Sequence, residues 1–166
     1  MLNTGIAQAP WQSILGLAIL GLSAVIAGWY DGRYRRIPNW LCAATALAGL
    51  AFGLWSVGFP VIISNALHLF AALLGGMILF RVGAFGGGDA KYYAAIAAWF
   101  GLGKAILLLL CVALSGLVLL IIWFSYRRLA GYQIRKRAGT GLDGLPYGIA
   151  IGSGAIITMM STFSLV

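Results

Sequence analysis

Six apolar runs separated by short polar segments organise this chain: Trp11–Tyr30, Pro38–Val57, Pro60–Phe80, Lys91–Gly103, Lys104–Tyr126 and Leu145–Phe163. All but the fourth are close to the roughly 20 residues needed to cross a hydrocarbon core. Backbone N–H and C=O groups find no water in lipid, so such runs are predicted to be helices. The fourth run is short: about 13 residues rise about 20 Å, less than the roughly 30 Å core. Either it is tilted and capped by neighbours, or its Asp89 end opens into a wet pocket below the membrane surface. Pro38 and Pro146 suit the first turn of a helix, where a missing N–H costs nothing. Gly49/Gly53 and Gly148/Gly152 have the four-residue spacing that lets helices approach closely. The expected architecture is all-α: one membrane-embedded domain over residues 1–166, a polytopic bundle of about six transmembrane helices.

Composition agrees with the pattern. Of 166 residues, 62% are hydrophobic and 8% charged, too apolar for an ordinary soluble domain. The net charge of +8 could be read as a nucleic-acid signal, but no basic patch interleaved with aromatics has room to form such a module. Its distribution explains it better. Arg33, Arg35 and Arg36 follow the first run, Arg81 and Lys91 flank the third loop, and Arg127, Arg128, Arg135, Lys136 and Arg137 follow the fifth run. Ten of the eleven basic residues thus fall on one side, with Lys104 alone on the other. That bias makes those three loops cytoplasmic and both termini external. The Arg135–Lys136–Arg137 cluster reads as an orientation signal that also touches anionic lipid. Trp11, Trp29, Tyr30, Trp55, Trp99, Trp123 and Tyr126 fit interfacial aromatic belts. The N-terminus lacks a positive leader, so the first run is expected to be retained. Cys42 and Cys111 sit singly in apolar runs and read as packing residues.

Acidic residues are scarce: Asp31, Asp89 and Asp143 only. A carboxylate beside a bilayer is costly, which makes each a candidate for function. All three fall on the cytoplasmic side, at or just beyond run ends. Taken singly, Asp31 could be an interfacial acid paired with Arg33, Arg35 or Arg36. Asp89 could be a helix N-cap, and Asp143 reads as a turn or cap residue ahead of the sixth run. A cap does not need the preceding Gly86-Gly87-Gly88, however. Three glycines let another backbone come very near, an arrangement suited to an extended peptide beside a carboxylate. Two carboxylates sharing a site cannot both ionise easily. The ionised member can activate water while the protonated member polarises a peptide carbonyl, with no metal or cofactor required. Neither H-E-x-x-H nor G-x-S-x-G occurs. The single histidine, His68, reads as a hydrogen-bonded interior residue near Asn65.

Three segments bring the chain close to a known family. Asp31 is followed by Arg35-Arg36-Ile37-Pro38-Asn39; Gly86-Gly87-Gly88-Asp89-Ala90-Lys91 contains a G-x-G-D; and Leu145-Pro146-Tyr147-Gly148 comes late. In these the chain resembles the type IV prepilin peptidases, membrane aspartyl proteases. The resemblance implies an endopeptidase that removes a short basic leader from pilin-like precursors, after a glycine, at the cytoplasmic face of the bacterial inner membrane. It implies Asp31 and Asp89 as the catalytic pair, and Gly86, Gly87, Gly88 and Lys91 as substrate-side residues. Its partners are a prepilin precursor and the lipid bilayer, with no nucleic acid, cofactor or metal. Larger members carry two cysteine pairs in an insertion after the first helix and also N-methylate the product. Those cysteines are absent here, so the chain looks like the minimal, peptidase-only form of tight-adherence (Flp-type) systems. Two other classes remain open at this level. A small proton-coupled transporter could use the same aspartates, although they gather at one face and not at the midplane. A scaffold subunit could carry them as capped or paired residues.

Overall fold

The computed structural model describes residues 10–83, 85–129 and 147–164. Asp143, the Arg135–Lys136–Arg137 cluster and Pro146 lie outside the described residues. Among the described residues there are six α-helices: α1 (Pro10–Tyr34), α2 (Asn39–Ser56), α3 (Phe59–Arg81), α4 (Gly87–Ala97), α5 (Ala105–Leu129) and α6 (Tyr147–Ser164). A 3₁₀ turn at Leu102–Lys104 leads into α5. The protein is a helical membrane bundle.

Four helices, α1, α2, α3 and α5, are long and apolar enough to cross a membrane by length and composition; α6 contributes a shorter apolar stretch, Tyr147–Thr162. The expected fourth span takes a different form. Its helix starts at Gly87, four residues earlier than the apolar run, and stops at Ala97. Eleven residues rise about 16 Å, about half a hydrocarbon core.

This short helix is the centre of the bundle. Ala90, Tyr92, Ala94, Ala95, Ile96 and Ala97 are all buried. It packs on α2, α3 and α6. Its alanines keep the helix thin, so three neighbours can close around it. Tyr92 and Ile96 then join Leu20 of α1 and Ile151 of α6 in a core with no exposed surface. Helix α5 is the opposite case. Among its residues only Leu108 is buried, and Ile106, Leu114, Val118 and Ile122 face outward. In water that surface would be a liability; in a bilayer it is the natural lipid contact.

Close glycine contacts set the helix crossings. A Cβ on Gly152 would lie 2.6 Å from Ala24 Cβ of α1, and one on Gly154 would lie 2.6 Å from Val112 Cα of α5. Those distances are closer than real carbon contacts, so any side chain would push α6 off its neighbours. The four-residue spacing of Gly148 and Gly152 thus serves the α6–α1 crossing, as small-residue spacing predicts.

One aromatic residue departs from the interfacial pattern. Trp99 is 7% exposed and belongs to the core. Its indole N–H donates to the Thr45 carbonyl at 2.9 Å, and its ring stacks on Phe52 with centroids 5.5 Å apart. The end of α4 stops inside the bundle, so a tryptophan there meets protein and not headgroups. Trp11 and Trp55 do sit exposed at one end of the bundle, edge to face at 5.2 Å. His68 is interior and hydrogen-bonded: its Nδ1–H donates to the Phe100 carbonyl at 2.8 Å. Cys42 and Cys111 are free thiols within the helices.

Candidate active site

Three segments distant in sequence meet at one end of the bundle. They are the α1–α2 connection, the start of α4 and the start of α6. Each contributes a small set of residues, and Ile37 touches two of the three.

Asp31 comes first. Helix α1 does not stop at Tyr30 but continues to Tyr34, so Asp31 lies inside its final turns. The helix ends where Arg35 takes φ +53°, a left-handed conformation uncommon for a residue with a Cβ. The Arg35 N–H still reaches the Asp31 carbonyl at 3.0 Å, which closes the last turn. The chain then doubles back through Ile37 and Pro38 into α2. Pro38, with φ −65° and ψ 143°, is the residue just before the helix, and its carbonyl accepts from the N–H groups of Leu41 and Cys42. Asp31 is only 7% exposed. Its Oδ2 accepts a hydrogen bond from the backbone N–H of Gly148 at 2.8 Å. The first-turn N–H groups of a helix have no partner within it, so α6 offers Asp31 a donor ready to meet an anion.

Asp89 lies in the first turn of α4. The glycine run is not an extended strip beside it. Gly86 caps the helix in an extended conformation, and Gly87 and Gly88 form its first residues. The Asp89 side chain folds back toward Gly86 and takes a hydrogen bond from its backbone. A Cβ on Gly86 would lie 2.5 Å from Asp89 Oδ2. Glycine at 86 is therefore the condition for that carboxylate position. Gly88 answers to a different neighbour: a Cβ there would lie 3.4 Å from the Ile37 backbone nitrogen and 3.6 Å from Ile37 Cβ. Gly87 is the least constrained of the three, with the Phe80 ring 3.4 Å away.

Electrostatics separates the two acids. The Asp89 carboxyl is pushed up from 3.8 to about 6. Burial is the largest cause, the charge of Asp31 the next, and the Gly86 hydrogen bond works in the opposite direction. Asp31 is thus near enough for its charge to act on Asp89. Their helices, α1 and α4, are not a principal packing pair; the side chains of Ser23 and Tyr92 link them at 3.4 Å.

Lys91 is exposed and donates to Asn39 Oδ1 at 3.1 Å. It ties the start of α4 to the start of α2, beside Ile37 and Pro38. Nearby, the rings of Phe85 and Tyr147 sit 5.9 Å apart and bring the α3–α4 connection against α6. A cleft of about 350 Å³ between α5 and α6 and a cavity of about 100 Å³ lined by Asn65, Trp99 and Thr162 contain neither aspartate. Among the described residues, no cluster of three or more His, Cys, Asp or Glu side chains could hold a metal ion.

Sequence reasoning missed two contributors. Gly148 was visible as part of a helix-packing pair and as a motif letter, and Ile37 only as a motif letter, neither with a role at the site. The signal for Gly148 was its place just after a proline at the start of an apolar run, where free N–H groups gather.

A family model described as the type IV leader peptidase family matches residues 17–121 of this chain. Comparison with curated proteins and with solved structures gave no match.

Proposed function

The chain belongs to the type IV leader peptidase family, and from that premise we propose that it is an aspartic endopeptidase acting through Asp31 and Asp89. Its substrate in this reading is a prepilin precursor, cleaved behind a short basic leader. The observation that carries the reading is the pair of unlike carboxyl environments at one end of the bundle. Asp31 is held by the Gly148 N–H, while Asp89 is pushed to about 6 by burial and by Asp31.

Each environment suits one role. Asp31, in its ionised form, takes a proton from the attacking water. Asp89, protonated in a large share of molecules near pH 6, hydrogen-bonds the scissile carbonyl oxygen and polarises it. Water adds to the carbonyl carbon, and the oxygen carries the developing negative charge toward the Asp89 proton. Collapse of the tetrahedral species breaks the C–N bond. The proton gained by Asp31 passes to the leaving amine. Both carboxyls then return to their starting states, so the cycle balances with water and peptide alone.

The apolar spans and the one-sided basic residues support a multi-pass protein of the bacterial inner membrane, with the aspartates at the cytoplasmic face and both termini external. The whole chain, residues 1–166, is then one peptidase domain of the minimal kind, with Gly86, Gly87, Gly88 and Lys91 flanking the bound peptide. The experiment is a cleavage assay with purified protein and a precursor pilin. Leader removal by the parent chain, lost in both Asp31→Asn and Asp89→Asn, supports the proposal. Full cleavage by either variant overturns it.

A further inference from the structure

The geometry points to Ile37 as a spacer that holds the two aspartate-bearing segments at a set separation. This inference rests on reading Asp31 and Asp89 as the working pair of the peptidase.

Ile37 is 6% exposed, in a connection whose neighbours Arg36 and Asn39 are exposed. Glycines flank it on two sides. Toward α4, its backbone nitrogen and Cβ lie 3.4 and 3.6 Å from where a Gly88 Cβ would stand. Toward α6, its Cδ1 lies 3.3 Å from where a Gly148 Cβ would stand. Gly88 precedes Asp89 directly. Gly148 donates to Asp31 Oδ2, and its Cβ position is 3.1 Å from Asp31 Cβ. Ile37 therefore stands between the residue beside one aspartate and the residue bonded to the other, with its backbone and Cβ against Gly88 and its Cδ1 against Gly148.

Nothing else described does this work as directly. Helices α1 and α4 are not a principal packing pair. Lys91–Asn39 ties α4 to α2 only from the surface. Arg35 in its left-handed turn and Pro38 with its fixed φ aim the connection, so Ile37 has little freedom to leave the gap. If Ile37 is shortened, its backbone and Cβ stay against Gly88, but Gly148 can close into the space the lost carbons leave, since it has no Cβ to stop it. Asp31, bonded to Gly148, then moves toward Asp89. Closer approach strengthens the repulsion of the Asp31 charge on the ionised form of Asp89, which pushes the Asp89 carboxyl further up.

Ile37 is thus a positioning residue, and its effect can be read without peptidase activity. Asp31→Cys and Asp89→Cys are introduced together into the full chain, with Cys42→Ala and Cys111→Ala, and the rate of disulfide formation under mild oxidant is measured in membranes. Ile37→Ala is expected to raise that rate about tenfold, as a partly collapsed cavity allows. Ile37→Val removes only the Cδ1 methyl that meets Gly148 and gives an intermediate increase; it also guards against a poorly folded alanine variant. Leu41→Ala, an equally buried apolar site of α2, leaves the rate unchanged. A rate unchanged or lowered in both Ile37 variants overturns the spacer. In the parent chain with its aspartates, Ile37→Val should lower kcat, spare KM and shift the alkaline limb of the pH profile upward. If the cross-linking rate depends on Ile37 but the parent chain cleaves no precursor, the spacer stands and the peptidase reading fails.

Discussion

Asp31, near the end of α1, accepts a hydrogen bond at 2.8 Å from the backbone N–H of Gly148, 117 positions away at the start of α6. The contact joins the first and last described helices at the point where the second acid, Asp89, also lies. It gives Asp31 a donor from another helix, whereas Asp89 takes its donor from Gly86, three positions earlier in the chain.

Removing either carboxylate should stop leader cleavage. General acid–base groups contribute about 10²–10⁴-fold each, so Asp31→Asn and Asp89→Asn should lose at least that much in kcat/KM. Protein levels in the membrane should stay near those of the parent. The check is a cleavage assay beside quantification of membrane protein.

The pH profile should fall on its alkaline side. Asp89 must hold a proton to polarise the carbonyl, and its carboxyl titrates at about 6. Above that pH, kcat/KM should drop about tenfold per unit as the protonated fraction falls. An alkaline limb that began only near pH 9 would assign the acid role to another group.

Stability should also fall as pH rises through the Asp89 range. Its carboxyl is raised from 3.8 to about 6, chiefly by burial, so the folded state binds the proton more tightly than the unfolded chain. Below 3.8 the group is neutral in both states and has no effect. As pH rises from 3.8 to 6 the fold loses stability, and above 6 the loss is complete. Asp89→Asn should therefore melt higher than the parent at pH 8 and close to it at pH 3. A thermal-shift measurement at both values checks the sign.

Gly148→Ala should damage the site more than the bundle. The added Cβ would meet Asp31 Cβ at 3.1 Å, Asp31 Oδ2 at 3.2 Å and Ile37 Cδ1 at 3.3 Å. Each neighbour must give by a few tenths of an ångström, and a displaced Asp31 loses alignment with its water. A misplacement of about 1 Å can cost about 10²-fold, so a shift of a few tenths should lower kcat by less than that. Kinetics of the alanine variant, set against its melting temperature, separate the two effects.

Trp99→Phe should act on stability alone. It removes the indole N–H that donates to the Thr45 carbonyl at 2.9 Å while keeping a ring against Phe52. That carbonyl keeps its helical partner inside α2, so the loss is one net hydrogen bond, about 0.5–1.5 kcal/mol. Thermal unfolding should fall accordingly, while KM stays at the parent value.

Much of this was legible in the chain. Long apolar runs announce helices because lipid leaves backbone groups no other partner, and α1, α2, α3 and α5 follow the runs closely. Asp31, Asp89 and the glycine run stood out because carboxylates and triple glycines are rare beside membranes. Other features were misread. Trp99 resembled an interfacial anchor because it ends an apolar run, but α4 is too short to reach an interface there. The glycines at 86–88 resembled an open strip, but they cap and begin a helix, each glycine being shaped by a different neighbour. Asp31 was placed beyond the first helix because the polar Asp31–Arg36 stretch breaks the apolar pattern. The helix runs on through it, since a polar residue at the end of a span meets water and need not end the hydrogen-bond ladder.

By itself, then, the amino-acid order determined which stretches form long apolar helices, where charge gathers along the chain, and which carboxylates stand out as candidates. These depend on each residue's own free energy of transfer or on chemistry within a few positions. Tertiary packing alone decided that Gly148 would hold Asp31, that Ile37 would fill the space between Gly88 and Gly148, and that α4 would be the centre of the bundle. Such contacts join residues dozens of positions apart, and they depend on how closely whole helices can approach, a quantity no local pattern records.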